Sequence, residues 1–263
     1  MSIVDQLLGR AVVLVAHPDD ECIAYGALLQ RMREPHVICA TDGAPRDPQF
    51  WEKWGTREAY ANLRRKEATW ALERVGVGAA VYLSDDSEHG AAFADQELYL
   101  ALPQAYALLR ARLNTLKPEA IATLAYEGGH PDHDSCNVLA SALGEELRIP
   151  VWEAPLYRSH EDGTRVLQQF VSGDAGIEIV PTAEESARKR QMCVDYSSQG
   201  DFLGTFKLER ETVRPLARYD YSQPPHSGKL NYELWGWRMT GSEVSAEFVR
   251  FMRWWQLRQR QAA

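Results

Sequence analysis

The chain has no apolar run near the ~20 residues needed to cross a bilayer, so a membrane-spanning helix is not expected. Its first apolar stretch, Ala11 to Ala16, is too short for a signal-peptide core and follows Asp5, which predicts a cytoplasmic protein. Cysteine is scarce. Cys22, Cys39, Cys136 and Cys193 lie far apart with no Cys-x-x-Cys pair, which argues against a disulfide framework and for buried thiols in a reducing compartment. Positive charge is also short: 29 Lys and Arg stand against 37 Asp and Glu. The resulting net charge of -8 disfavours a nucleic-acid partner, because phosphates call for concentrated positive charge. No Gly-x-Gly-x-x-Gly follows the first strand-like run, so a nicotinamide-dependent enzyme is not expected either. Repeats and low-complexity tracts are missing.

What is present is an alternation. Short β-branched runs at Ala11–Ala16, His36–Ala40, Ala80–Leu83, Ala120–Ala125 and Val151–Leu156 alternate with helical patterns near 20–33, 57–75, 95–116 and 134–147. This predicts an α/β fold, Rossmann-like and doubly wound, with a mainly parallel sheet covered on both faces. The 57–75 helix is the best defined: Thr56 can cap it, Leu63, Trp70 and Ala71 share an apolar side, and Gly76 stops it. Beyond residue 157 the pattern loosens. Strands are expected at Thr164–Val171 and Ile177–Val180 and helices at about 182–195 and 242–259, while 201–240 gives no assignment. The expectation is one domain over 1–263, with a core at about 11–156 and a less regular C-terminal third as its cover.

Two similar segments carry the chemistry. The first run ends in His17-Pro18-Asp19-Asp20-Glu21 and the fourth in His130-Pro131-Asp132-His133-Asp134, each opening a helix. In a sheet of order 3-2-1-4-5 these strands are neighbours where the winding reverses, and ligand sites form beyond their carboxyl ends. Taken singly, Asp19, Asp20 and Asp134 read as ordinary helix caps and either histidine as structural. Taken together, histidines and carboxylates converging in one crevice suit a catalytic metal with three protein ligands and one open position. The remaining carboxylates and imidazole would then serve as general base and general acid.

At these residues the chain resembles the PIG-L/LmbE family of zinc-dependent N-acetylglucosaminyl deacetylases. Its first signature, Ala-His-Pro-Asp-Asp-Glu, stands at Ala16 to Glu21, and its second, His-Pro-Asp-His, at His130 to His133. The likeness continues through Thr41-Asp42-Gly43, Arg64-x-x-Glu67, and Lys189 with Tyr196-Ser197-Ser198-Gln199. The resemblance implies that His17, Asp20 and His133 hold Zn²⁺, with Fe²⁺ as an alternative given the same donor types. It implies that Asp19 is the general base for the attacking water. His130 would stabilise the oxyanion and protonate the leaving amine, with Asp132 orienting His130 and raising its pKa. Arg64 and Asp86 fall where the family binds sugar hydroxyls, although Asp85 fits nearly as well as Asp86. Where some members place a tyrosine, two residues before the second signature, this chain has Gly128; Tyr126 is the nearby candidate for that role.

The expected reaction is therefore removal of an N-acetyl group from a GlcNAc-type sugar or its conjugate. The alternatives are an amidase for a larger acyl group and a carbohydrate-binding metal protein without turnover. The expected partner is a small amino-sugar substrate, and a homo-oligomer stays open. Trp235 and Trp237 can stack on a sugar, but core or interface packing is the reading taken. The basic and aromatic helix at 242–259 is expected to dock its apolar stripe on the body.

Overall fold

The structure is a computed structural model, which describes residues 3–85, 93–160, 162–171, 173 and 175–262. Five strands lie parallel: β1 (Arg10–Val15), β2 (Glu34–Cys39), β3 (Val81–Tyr82), β4 (Ala120–Leu124) and β5 (Val151–Ala154). After them come a separate antiparallel hairpin, β6 (Tyr157–Ser159) with β7 (Arg165–Leu167), and the strands β8 (Ile177–Ile179) and β9 (Glu211–Pro215). The main sheet runs β3-β2-β1-β4-β5-β9-β8, with β9 and β8 antiparallel at the far edge. The expected 3-2-1-4-5 order holds, and β1 and β4 pair in register at Val13 and Ala122.

Both faces of β1 are buried, as a parallel sheet requires. Ala11, Val13 and Val15 join a core with Leu72 and Met192, while Val12, Leu14 and Ala16 join another with Leu109, Leu139 and Phe248. The first core is covered by α1 (Asp20–Tyr25), α2 (Arg57–Arg74) and, after α3 and α4 in the chain, α5 (Ala183–Asp195). The second is covered by α3 (Leu102–Leu116), α4 (Pro131–Leu147) and, beyond the short helices α6 (Gly200–Leu203) and α7 (Asn231–Leu234), by α8 (Gly241–Ala262). Along α8, Val244, Phe248, Phe251 and Trp255 are buried, so its apolar stripe docks on the body. No described helix is long and apolar enough to cross a membrane.

Several expected elements are shorter than their patterns. The helix expected over 20–33 ends at Tyr25, because the Glu211 carboxylate takes the Ala27 and Leu28 amides at 2.6 and 3.0 Å. The helix expected from 95 begins at Leu102, next to Pro103 in its first turn, where a missing N–H costs nothing. The strand expected over 164–171 pairs only at Arg165–Leu167, in the hairpin outside the main sheet, and Gln168 with φ of 54° ends it. Trp70 is not on the buried side of α2 but 50% exposed; that face carries Tyr60, Arg64 and Glu67. Thr56 caps α2 as expected, accepting from Ala59 N at 3.0 Å. Strand β9 lies within the stretch that gave no assignment.

A candidate metal centre and its cavity

The carboxyl ends of β1 and β4 bring the two signatures together. His17 and His130 meet edge to face with ring centroids 4.4 Å apart, and His133 lies 5.3 and 5.0 Å from them. Asp20 joins two of these rings: Oδ2 is 3.5 Å from His17 Nδ1 and Oδ1 is 3.2 Å from His133 Nε2. The His17 backbone N–H also donates to Asp20 Oδ2 at 2.9 Å, which fixes the carboxylate. All four signature residues at the centre are buried.

Asp19 sits at the turn into α1 with φ of 110°, a left-handed conformation that a residue with a Cβ adopts only under strain. The strain is held from both sides. Its N–H donates to Glu21 Oε2 at 3.1 Å, and its carboxylate receives Arg64 Nη2 at 2.9 Å. Arg64, buried on α2, donates also to the carbonyls of Pro18 and Gly43. Its first structural task is thus to fix Asp19, and it reaches the cavity wall beside that carboxylate. Burial lifts the Asp19 pKa to about 8, against the downward pull of Arg64. Burial acts the same way on Asp20, but the His133 and His17 imidazoles outweigh it and hold that carboxyl well below the usual range.

One carboxylate here was not anticipated from sequence. Asp95 Oδ1 lies 3.2 Å from both His17 Nε2 and His130 Nε2, and Oδ2 is 3.8 Å from Arg64 Nη1. Nothing around Asp95 resembles a signature; the parallel bridge between Pro45 and Asp95 beside the sheet and the Asp132 bonds to Gln96 and Leu98 bring it in. Asp132 occupies a different place from the one expected. Its carboxylate accepts the Gln96 and Leu98 amides at 2.7 and 2.9 Å and lies 3.2 Å from His17 Nε2, but 4.0 Å from His130 Nδ1. His130 Nδ1 instead accepts the Asp132 backbone N–H at 3.1 Å, so the neutral ring carries its proton on Nε2, 3.2 Å from Asp95 Oδ1. Burial and the neighbouring His17 lower the His130 pKa, against the upward pull of Asp95 and Asp132. On His17 the balance reverses: burial lowers its pKa, but Asp95, Asp132 and Asp20 together raise it well above the usual value.

Of the remaining expected residues, Asp86 lies outside the described residues. Asp85 is largely exposed and pairs with Arg65, away from the cavity. Tyr126 is buried in the second core and donates to Gln223 O at 2.7 Å, so it does not take the place left at Gly128. A side chain at 128 would collide with the C-terminal cover, since a Cβ there falls 2.8 Å from Leu230 Cδ2. At Gly129 a Cβ would lie 1.8 Å from Tyr157 O, so glycine lets β6 close over the site. Tyr157 itself lines the cavity, its ring 5.3 Å from that of His133.

The cavity above the cluster measures about 240 Å³, and its upper walls are aromatic: Phe50, Tyr60, Phe202, Trp235 and Trp237. Trp237 lies edge to face with His130 at 4.9 Å and also packs against the second core, and both tryptophans line the cavity. The later family-like segment divides. Gln199 lines the cavity and donates to Tyr60 Oη at 2.7 Å, while Tyr196 donates to Glu21, and Ser197 and Ser198 bind Glu67 from behind. Lys189 is remote from the cavity, in a buried pair with Glu211 at 2.7 Å.

This donor set fits a divalent cation. One ligand atom from each of His17, His130 and His133 lies within 4.8 Å of the others, as do atoms of His17, Asp95, His130 and Asp132. His133 Nδ1 is buried with no hydrogen-bond partner, and imidazole with carboxylate is the donor chemistry of zinc-like ions.

Known proteins point the same way. No curated protein matches the chain. Its backbone is similar to a deacetylase in the biosynthesis pathway of teicoplanin, with 20% identity and a TM-score of 0.59 over 80% of this chain and 99% of that one. It is similar to the deacetylase of the A40926 pseudoaglycone at 19% identity and a TM-score of 0.57, with the same coverage. The N,N'-diacetylchitobiose deacetylase of Pyrococcus horikoshii is 17% identical, with a TM-score of 0.50 over 83% of this chain and 86% of that one. These similarities establish the fold. The model of the PIG-L family, described as GlcNAc-PI de-N-acetylase, matches residues 12–143, which is half of the chain and holds both signatures. The chain belongs to the PIG-L family.

Proposed function

We propose that this protein is a metal-dependent amide hydrolase that removes the N-acetyl group from a GlcNAc-type amino sugar or its conjugate. The observation that carries this reading is Asp19, a strained and buried carboxylate lining the same cavity as His130, with His17, Asp20 and His133. A protein that only bound a sugar would have no use for a strained acid in one cavity with an imidazole. The similar structures of deacetylases of teicoplanin biosynthesis and of the A40926 pseudoaglycone support the same reaction class.

His17, Asp20 and His133 would hold the cation, and zinc is the ion we assign. When bound, it supplies Lewis acidity to the acyl carbonyl and lowers the pKa of water toward neutrality. Asp19 takes the proton of the attacking water, and Arg64 keeps its carboxylate pointed at the reacting centre. His130, with Nδ1 engaged by the Asp132 N–H, presents Nε2–H to the developing oxyanion and then to the departing amine. Asp95 stabilises the positive charge on that ring. Asp132 holds His17 from behind, as carboxylates commonly do for a metal-binding imidazole. Arg64 and Asp95 are the wall groups available to sugar hydroxyls.

A cavity of about 240 Å³ is smaller than the ~300–1,000 Å³ typical of drug-sized ligands. It suits one sugar unit with an acetyl group better than a long acyl chain. The test is acetate release from a panel of N-acetylated amino sugars and conjugates, using protein of measured metal content before and after chelation. Release that stops on chelation and returns with zinc is expected. Release of a larger acid, or release indifferent to chelation, would sink the reading.

A further inference from the structure

The mouth of the cavity carries positive charge of its own, separate from the groups at its floor. Asp19, Asp20, Asp95 and Asp132 surround the reacting centre, in a chain of net charge -8. Just outside, on β7, the exposed Arg165 guanidinium lies over two rings of the cavity wall, 5.5 Å from Phe202 and 5.7 Å from Trp235. Arg165 also lines a second groove, of about 860 Å³, which runs from the mouth between β7 and the strands β8 and β9.

Two further cations stand along that groove, Lys207 and Arg210. Arg210 is paired with Glu178 at 2.8 Å. Among the described residues, no carboxylate lies within ion-pair distance of Arg165 or Lys207. The groove wall is nonetheless ordered. Gln168 donates to Lys207 O at 2.8 Å and accepts from Lys207 N at 2.9 Å, tying the end of β7 to the segment before β9. Trp235, 39% exposed, stacks on Tyr157 at 5.9 Å and is the ring that a substrate meets on leaving the inner cavity.

A guanidinium beside aromatic rings and without a carboxylate partner keeps its fork of N–H donors free for a phosphate or a carboxylate. Arg165 and Lys207 stand outside the inner cavity, so an anionic conjugate is held with its sugar inward and its anion on the rim. We propose that the aglycone of the natural substrate is a flat group bearing a negative charge, stacked on Trp235 and bound by Arg165, with Lys207 next along the groove. This rests on the amino-sugar deacetylase reading of the inner cavity. It adds a specificity site built entirely from residues after 156, outside the segment matched by the family model.

The experiment uses four glycosides of N-acetylglucosamine: methyl, phenyl, 4-carboxyphenyl and 4-phosphophenyl. Each is titrated against tryptophan fluorescence and assayed separately for acetate release. The expected result is that phenyl binds a few-fold tighter than methyl, and the two charged probes roughly tenfold tighter than phenyl, a gain that falls with added salt. Arg165→Ala should bring the charged probes down to the phenyl level, with the loss in KM rather than kcat. Trp235→Ala should remove the gain of phenyl over methyl. Whether carboxylate or phosphate gains more identifies the anion. Equal affinity for all four probes, or a charge preference that survives Arg165→Ala together with Lys207→Ala, overturns the proposal. A charge preference without acetate release from any probe would instead overturn the deacetylase reading and leave the rim site standing. Release from all four with one common KM would do the reverse.

Discussion

The floor and the walls of this cavity are built by different means. The floor belongs to β1 and β4, whose register at Val13 and Ala122 fixes where His17 and His130 emerge, because a parallel ladder leaves little freedom at a strand end. The walls come from the 45–60 segment and from the chain after 156, where β6 pairs only within its own hairpin and α6 and the turn at 235–237 join no strand. They are held by side chains instead. Glu127 Oε1 accepts the Leu156 and Tyr157 amides at 2.7 and 3.0 Å, and Lys189 bridges Ile23 O and Glu211 between α1 and β9. The difference teaches that chemistry and specificity can be placed by separate devices. A floor fixed by the sheet can persist while walls fixed by side chains are rebuilt for a new substrate.

The largest expected effect tests the floor. Asp19→Asn should lower turnover by about 10²–10⁴-fold while leaving the bound metal near the parent level, as read by steady-state kinetics beside metal analysis. Turnover within a few-fold of the parent would remove Asp19 from the chemistry. Next is the clamp that fastens the walls to the floor. Lys189→Ala leaves the Glu211 charge buried without its cation, which should cost about 3–5 kcal/mol in denaturant unfolding. A cost below ~1 kcal/mol would mean that the C-terminal third is held mainly by apolar packing.

A pH experiment separates the two regions more finely. Burial raises the Glu127 pKa well above its ordinary value of 4.5, against the pull of the Leu156 and Tyr157 amides. A carboxyl raised in the folded state stabilises the fold below its unfolded pKa, and that stability is lost as pH rises through the folded value. Glu127→Gln cannot ionise, so it should gain on the parent by roughly 1 kcal/mol or more as pH rises from the unfolded carboxyl value through the raised folded one. Parallel stability curves for the two proteins would contradict this. The smallest effect is at the entrance to α5, where Thr182 and Glu185 form a reciprocal capping box. Thr182→Ala should cost about 1 kcal/mol with no change in KM, and a KM effect would show that α5 communicates with the cavity.

How much of this was legible in the sequence follows the same division. His17, Asp20, His130 and His133 could be placed together because strand order follows from alternation, and strand ends at a winding reversal face one crevice. Asp95 could not, since it reaches His17 and His130 from an irregular segment before α3 with no periodicity to mark it. Trp235 and Trp237 carried an ambiguous signal, because large aromatics suit cores and sugar sites equally and only their neighbours distinguish the two. Thiol pairing was hidden as well. Cys22 and Cys193, 171 positions apart, bring their sulfurs to 2.8 Å only because α5 packs on α1.

By itself, then, the sequence determined what local periodicity and short motifs can specify: the sheet, its winding and the two signatures at adjacent strand ends. Tertiary structure decided which carboxylate partners which histidine, with Asp95 between His17 and His130 and Asp132 on His17, and which aromatics face the cavity. The physical reason is range. A strand or helix pattern reports the burial of one face over a few residues, whereas a hydrogen bond or ion pair between distant segments depends on ångström-scale placement that the folded chain alone provides.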